Sequence, residues 1–303
     1  MVNICVQQGV ECQTLREIIV KIGILTEEQK YQWNKDGYLV LKGVLSEEDI
    51  QKLTTVVDQI DEELRKQLRS EGPQDGSDVK LYAGLNELNI IEHSDIFVEL
   101  MDHPATFPVV LELLGPFVQL SMSQAMIRPP NPDNKGLAHA LHPDGGQAMQ
   151  RIRVDSNSLP LQIKIQYFLT PLTTPEHGNF TIVPGSHHRP FPAAQLGNAE
   201  NPHNAEAVQL CVEAGDAVVF PHALWHGASS NRSDYARKTL IYCYNHHCFR
   251  AYDYKEPSPK LLERCTPRQR RLLGDIGEWQ PGSYFYSPAD QEEVMTGLAE
   301  NKT

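Results

Sequence analysis

No stretch of this 303-residue chain approaches the roughly 18 uninterrupted apolar residues that a membrane-spanning helix needs. Its first residues, MVNICVQQGVECQTLREIIVKIG, hold no basic segment followed by an apolar run, so neither a signal peptide nor a span is expected, and the chain reads as soluble and cytoplasmic. Basic residues are scarce: 27 Lys and Arg stand against 39 Asp and Glu, a formal charge of -12. Nucleic acid and anionic membrane surfaces both reward clustered Lys and Arg, which leaves a small molecule as the expected partner. The six cysteines show no CxxC spacing and are too sparse for a disulfide scaffold; they are expected to be ordinary reduced thiols. No internal repeat or low-complexity tract divides the chain. A single catalytic domain over 1–303 is expected, with a mostly helical part over 1–115, a β core over 116–250 and a helical extension over 251–303.

What is present begins with helix starts. Thr26-Glu-Glu-Gln29 and Ser46-Glu-Glu-Asp49 each pair a hydroxyl N-cap with acids in the first turn, where they meet the positive end of the helix dipole. After the second, Ile50, Leu53, Val57, Ile60 and Leu64 recur at three- and four-residue steps, which predicts one apolar helix face to about residue 69. Gly37 to Gly43 reads as a short strand between glycines, residues 69–79 as a loop, and Pro104 to Leu114 as a helix stopped by Gly115-Pro116. From Phe117 the pattern changes to short apolar runs punctuated by Pro, Gly and Asn, at 117–127, 161–169, 180–183, 217–220 and 238–244. Repeated short strands of this kind predict a β sandwich or jelly roll with the helices on its outside. Residues 145–160 and 186–208 are long and polar enough to be binding loops. Ser258-Pro259 and Thr266-Pro267 open two further helices with proline in the first turn.

The chemistry-bearing pattern is His142-Pro143-Asp144, followed 84 residues after His142 by His226 and 11 residues later by Arg237. Two imidazoles and a carboxylate suit a mononuclear iron site with open positions, and an arginine fork beside them suits a dicarboxylate. In a strand or tight bend, residues i and i+2 share a face, so His142 and Asp144 can converge on one ion. The triplet alone carries little, because His93-Ser94-Asp95 repeats it in a partly helical setting that suits a surface or capping role. The downstream half is stronger: the strand 217–220 delivers His222 and His226, and Arg237 opens the next apolar run. A strand, a turn and a return strand would set His226 and Arg237 side by side. His222 has only an architectural reading.

With these residues in order, the chain resembles the phytanoyl-CoA dioxygenase family of iron(II)- and 2-oxoglutarate-dependent oxygenases. The resemblance covers about residues 26–250. It rests on Gln32-Trp-Asn-Lys-Asp-Gly-Tyr-Leu-Val-Leu41, His142-Pro-Asp144, Gly178-Asn-Phe-Thr-Ile-Val-Pro-Gly-Ser-His187, Gly215-Asp216, and His226-Gly with Asn231 and Arg237. It implies a mainly β, cupin-like double-stranded β-helix with flanking helices. His142, Asp144 and His226 would be ligands of Fe(II), and Arg237 would pair with the far carboxylate of 2-oxoglutarate. The Pro184-Gly185-Ser186-His187 segment would be a structural turn. Family members often carry a hydroxyl two residues after the distal histidine, where this chain has Ala228; Ser229, Ser230 or another partner would have to serve, and His139, Gln124 and Lys164 are the candidates.

The resemblance further implies that O2 and 2-oxoglutarate yield succinate, carbon dioxide and a ferryl oxidant that abstracts hydrogen. Hydroxylation of a small-molecule metabolite is the simplest outcome, with desaturation, epimerisation or cyclisation as alternatives from the same centre. A non-catalytic metal- or ligand-binding β-barrel is the reading from another class. Asp144 disfavours halogenation, since the related halogenases lack this carboxylate. On the substrate side, Gln162, Lys164 and Gln166 alternate with Ile163, Ile165 and Tyr167, so one face of that strand is expected to line the barrel. Gln166, Arg151 and Arg153 are the substrate-contact candidates, although the two arginines read more readily as solvated loop charges. No basic cluster of the size needed for a nucleotide and pyrophosphate accompanies them, so an acyl-CoA substrate is not expected.

Overall fold

The computed structural model describes residues 24–70, 84–133, 137–145, 160–190 and 202–275, together with Gln291 and Val294. Helix α1 (Glu27–Asp36) is fixed at both ends by local chemistry. Thr26 and Gln29 exchange side-chain and backbone hydrogen bonds in a capping box, and Gly37 takes the left-handed conformation that lets its N–H reach Trp33 O. Strand β1 (Leu39–Leu41) follows, then helix α2 (Glu47–Ser70), which buries Leu53 and Val57 as its spacing predicts. The short helix α3 (Asp95–Glu99) and helix α4 (Phe107–Leu114) complete this layer, with strand β2 (Asn86–Leu88) before them. The predicted loop over 69–79 falls mostly outside the described residues.

The β core consists of β3 (Val118–Arg128), β4 (Leu137–His142), β5 (Gln162–Phe168), β6 (Phe180–Ile182), β7 (Val208–Gln209), β8 (Ala217–Pro221), β9 (His226–Ser229) and β10 (Arg237–His246). They form a six-stranded sheet in the order β1-β8-β5-β10-β3-β2 and a four-stranded sheet in the order β4-β9-β6-β7, antiparallel throughout. From β3 to β10 the chain crosses from one sheet to the other at every step except β6 to β7, as in a jelly roll. Helices α5 (Pro259–Arg264) and α6 (Pro267–Leu272) follow, each N-capped by the predicted Ser258 or Thr266 hydroxyl.

The two-residue period of the strands sorts the core. Ile163, Ile165 and Tyr167 of β5, with Leu240, Tyr242 and Tyr244 of β10, pack against the helical layer in one apolar cluster with Leu53, Val57, Phe97, Phe107 and Leu111. Burial there leaves three phenols out of water, and each finds a partner. Tyr242 donates to Phe97 O at 2.6 Å, Tyr244 donates to Met101 O at 2.8 Å, and Tyr167 shares a 2.7 Å bond with the Thr106 hydroxyl. The opposite faces of these strands point between the sheets.

One sequence expectation is corrected. Strands β8 and β10 do not form a hairpin, because β5 lies between them, and His226 begins a strand of its own in the four-stranded sheet. His226 and Arg237 therefore line one cavity from different sheets rather than sharing one ladder. The segment 186–208 is also less irregular than expected, since Ser186–His188 and Pro202–Glu206 form 3-10 turns and β7 begins at Val208.

The turn after β6 is tied to α1. A methyl group on Gly37 would lie 2.3 Å from His187 Nδ1, and Gly37 has φ +81°. Gly37→Ala should lose about 1–2 kcal/mol from the left-handed backbone alone, plus the cost of displacing His187, read as a lowered denaturation midpoint. Burial, then the neighbouring His188, pushes the His187 imidazole down to about 4 from its ordinary 6.5. The unfolded chain thus binds the extra proton between those values, and stability present above pH 6.5 should drain away as pH falls toward 4. His187→Gln should flatten that part of the melting-temperature profile.

Candidate metal and cosubstrate site

His142 ends β4 and His226 begins β9, and the two are direct cross-strand partners. Their ring centroids lie 4.4 Å apart. Each ring is oriented by its own strand: His142 Nδ1 meets Ala140 O at 2.9 Å and His226 Nδ1 meets Leu224 O at 2.8 Å. A carbonyl at Nδ1 fixes the proton there and leaves Nε2 as the lone-pair donor, the arrangement that orients ligating histidines. Asp144 follows in a bend whose backbone N–H donates to His222 O at 2.8 Å. The buried His222 thereby anchors the acid through its main chain.

Ligand atoms of His142, Asp144 and His226 all lie within 4.8 Å of one another. Asp144 Oδ1 accepts from Lys164 Nζ at 2.5 Å, while Oδ2 is buried without a hydrogen-bond partner and faces His226 Nε2 at 3.6 Å. The donor set is thus one imidazole nitrogen from each histidine and a carboxylate oxygen, a facial set that fits a ferrous ion and leaves positions for other ligands. Burial raises the Asp144 carboxyl, but Lys164, then His226 and His142, outweigh it and hold it at about 2. Burial drives the His226 imidazole down to about 3. At neutral pH both are therefore in the form that binds metal. Phe180 and Phe220 flank His226 at 5.5 and 4.9 Å between ring centroids, and Phe180 also lines the cavity described next.

These residues open into a cavity of about 760 Å³ between the sheets. Arg237 lines it and is fully buried; its Nη2 donates to Thr239 Oγ1 at 3.4 Å, and its Nε and Nη1 have no partner. Gln124, Lys164 and Gln166 line it too. Gln124 bonds Asn86 Oδ1 across β3 and β2, Gln166 is buried on β5, and Lys164, expected beside the cosubstrate, lies against the acid of the metal set. His139 sits on β4, but its side chain lies outside the described residues, as do Arg151 and Arg153. Ala228 lines the cavity, whereas Ser229 Oγ donates to Ser230 O at 3.3 Å. The decoy His93 is a surface residue bonded to Glu87, and Asp95 pairs with Arg264.

Two residues escaped the sequence reading. Thr239 is the hydroxyl held against Arg237, and its position two residues along the same strand was the available signal. Arg128 faces Arg237 from β3 in the ladder register, which no local pattern reveals.

The model of the family described as phytanoyl-CoA dioxygenase (PhyH) matches residues 33–239. The chain belongs to this family. It is accordingly a dioxygenase, an oxidoreductase of the iron(II)- and 2-oxoglutarate-dependent type that uses O2. It is 30% identical over 108 residues to dioxygenase cdmA of Talaromyces verruculosus, covering 35% of this chain and 33% of that one. It is 23% identical over 242 residues to the peroxisomal phytanoyl-CoA dioxygenase of Rattus norvegicus, covering 72% and 67%. Among solved structures, HygX of Streptomyces hygroscopicus with nickel and 2-oxoglutarate bound superposes with a TM-score of 0.58 at 19% identity, covering 78% of this chain and 93% of that one. The shared fold is the jelly roll. No helix among the described residues is long and apolar enough to cross a membrane.

Partners of ligating side chains are commonly worth 10- to 100-fold in metal affinity. Lys164→Met, which frees Asp144 Oδ1, should weaken Mn(II) binding by roughly that factor in an anaerobic calorimetric titration, while the ligand-free protein keeps its circular dichroism.

Proposed function

We propose that this chain hydroxylates a small-molecule metabolite, with His142, Asp144 and His226 holding Fe(II) and Arg237 taking the far carboxylate of 2-oxoglutarate. The observation that carries this reading is the convergence of one ligand atom from each of the three residues at a cavity that also holds a fully buried guanidinium. Bound there, iron and 2-oxoglutarate supply dioxygen activation coupled to release of succinate and carbon dioxide.

The chain's own residues do the rest. Lys164 keeps the Asp144 carboxylate in one orientation. Arg237 offers a planar fork of donors that matches a carboxylate and fixes the register of the cosubstrate, and Thr239 Oγ1 accepts from its Nη2. The cavity volume falls within the range of small-molecule sites. Its lining supports a largely apolar substrate with neutral polar groups: Leu88, Met122, Met126 and Ile241 are interspersed with the amides of Asn86, Gln124, Gln162 and Gln166. A carboxylate at position 144 leaves no room for a halide in the metal set, which favours oxygen transfer over halogenation.

Anaerobic protein given Fe(II) and 2-oxoglutarate should develop the weak visible metal-to-ligand absorption band, and in air should release succinate. Ala in place of His226 or Asp144 should abolish both signals, and Arg237→Ala should mainly weaken 2-oxoglutarate binding. Absence of the band and of succinate from the unaltered protein would sink the proposal. A metabolite screen on succinate release then finds the substrate, and a product heavier by one oxygen atom identifies hydroxylation against desaturation, epimerisation or cyclisation.

A further inference from the structure

We infer that Arg128 is a second cosubstrate-binding residue, its guanidinium joining that of Arg237 on the distal carboxylate of 2-oxoglutarate. The inference rests on the reading of Arg237 given above and adds a residue to it.

Four observations carry it. Arg128 at the end of β3 and Arg237 at the start of β10 are direct partners in the antiparallel ladder, and both line the cavity. Such partners have Cβ atoms about 5 Å apart, a spacing at which like charges repel. Second, the pair is uncompensated. The Arg128 side chain makes no ion pair or hydrogen bond with the described residues and buries its Nε unpartnered, as Arg237 buries Nε and Nη1. Asp144 is the one acid among the described lining residues, and Lys164 already neutralises it. Burial, then Arg128, pushes the Arg237 guanidinium down to about 9, and burial lowers that of Arg128. One buried and one half-buried like charge without an anion are costly, and a shared carboxylate removes that cost by offering about four acceptor sites to two donor forks.

Third, the scaffold sets the two arginines against each other. Asn231 Nδ2 donates to Arg128 O at 3.0 Å and to Tyr235 O at 2.9 Å, pinning the end of β3 to the approach of β10. On the other side, a methyl on Gly178 would lie 3.1 Å from Arg237 Cδ, so the guanidinium is walled in with Arg128 beside it. Fourth, Ala228 contributes no hydroxyl from the facing sheet, and Ser229 and Ser230 do not line the cavity. A second cation supplies the binding that a neutral hydroxyl would otherwise share.

The test compares two oxo acids of equal chain length, 2-oxoglutarate and 2-oxopentanoate, which chelate iron alike but differ in the distal carboxylate. Each is titrated into anaerobic Fe(II)-loaded protein, with Kd read from the visible band. Arg128→Gln and Arg128→Met should each weaken 2-oxoglutarate by about tenfold or more, the scale of a lost charge-assisted bond, and leave 2-oxopentanoate unchanged. Ligand-free melting should be unaltered or raised, because a like-charge contact has gone. Unchanged 2-oxoglutarate affinity in both variants, which would assign Arg128 to an acid on the substrate, overturns the inference. So does an equal loss for both oxo acids. Failure of the unaltered protein to bind 2-oxoglutarate would instead overturn the reading of the site on which the inference stands.

Discussion

The organisation of this protein depends on the two-residue alternation of β3, β5 and β10, which turns their polar faces inward. Elsewhere a sandwich buries its apolar faces between the sheets. Here the helices α2, α3 and α4 cover the outer face of the six-stranded sheet, and Tyr167, Tyr242, Tyr244 and their aliphatic neighbours are buried under that layer. The hydrophobic driving force is thus satisfied largely outside the sandwich, and Gln162, Lys164, Gln166, Arg128 and Arg237 are free to face its interior. Only part of the space between the sheets, around Phe168, Phe180 and Phe220, is an apolar core.

That division has an electrostatic consequence. Charged groups placed between two sheets lose most of their hydration, so each must be met by a partner or left poised for a ligand. The Lys164–Asp144 pair is met. Oδ2 of Asp144 and the guanidinium edge of Arg237 are poised instead, beside the two histidines that share the cavity. Folding spends stability to hold them there before any ligand arrives, which is how a preorganised site differs from a collection of similar residues on a surface. His93 and Asp95 show the contrast: the same triplet on a short helical segment pairs with Glu87 and Arg264 and builds nothing.

Much of this was legible beforehand. The helix caps at Thr26, Ser258 and Thr266, the apolar stripe of α2, the long strands β3, β5 and β10, and the residue types of the metal set all follow from local signals, because hydrogen bonding at a cap and period-two burial act within a few residues. β4 and β9 were harder to see. Leu137-Ala-His-Ala-Leu-His142 and His226-Gly-Ala-Ser229 lack the β-branched and aromatic residues that favour strands, and they are extended because they pair with each other and with β6.

The sequence by itself determined which atoms are available: two imidazoles, a carboxylate bracketed by a tight bend, and an arginine followed at i+2 by a hydroxyl. Tertiary structure alone decided which of them meet. The expected hairpin between His226 and Arg237 does not exist, and the two line one cavity from different sheets because β5 intervenes between β8 and β10. Lys164 reaches Asp144 over 20 residues of separation, and Arg128 reaches Arg237 over 109 positions of chain. Strand pairing sets such contacts, and pairing is a property of whole sheets: it minimises unpaired backbone groups and exposed apolar surface over all the strands at once, so no short window of residues contains it.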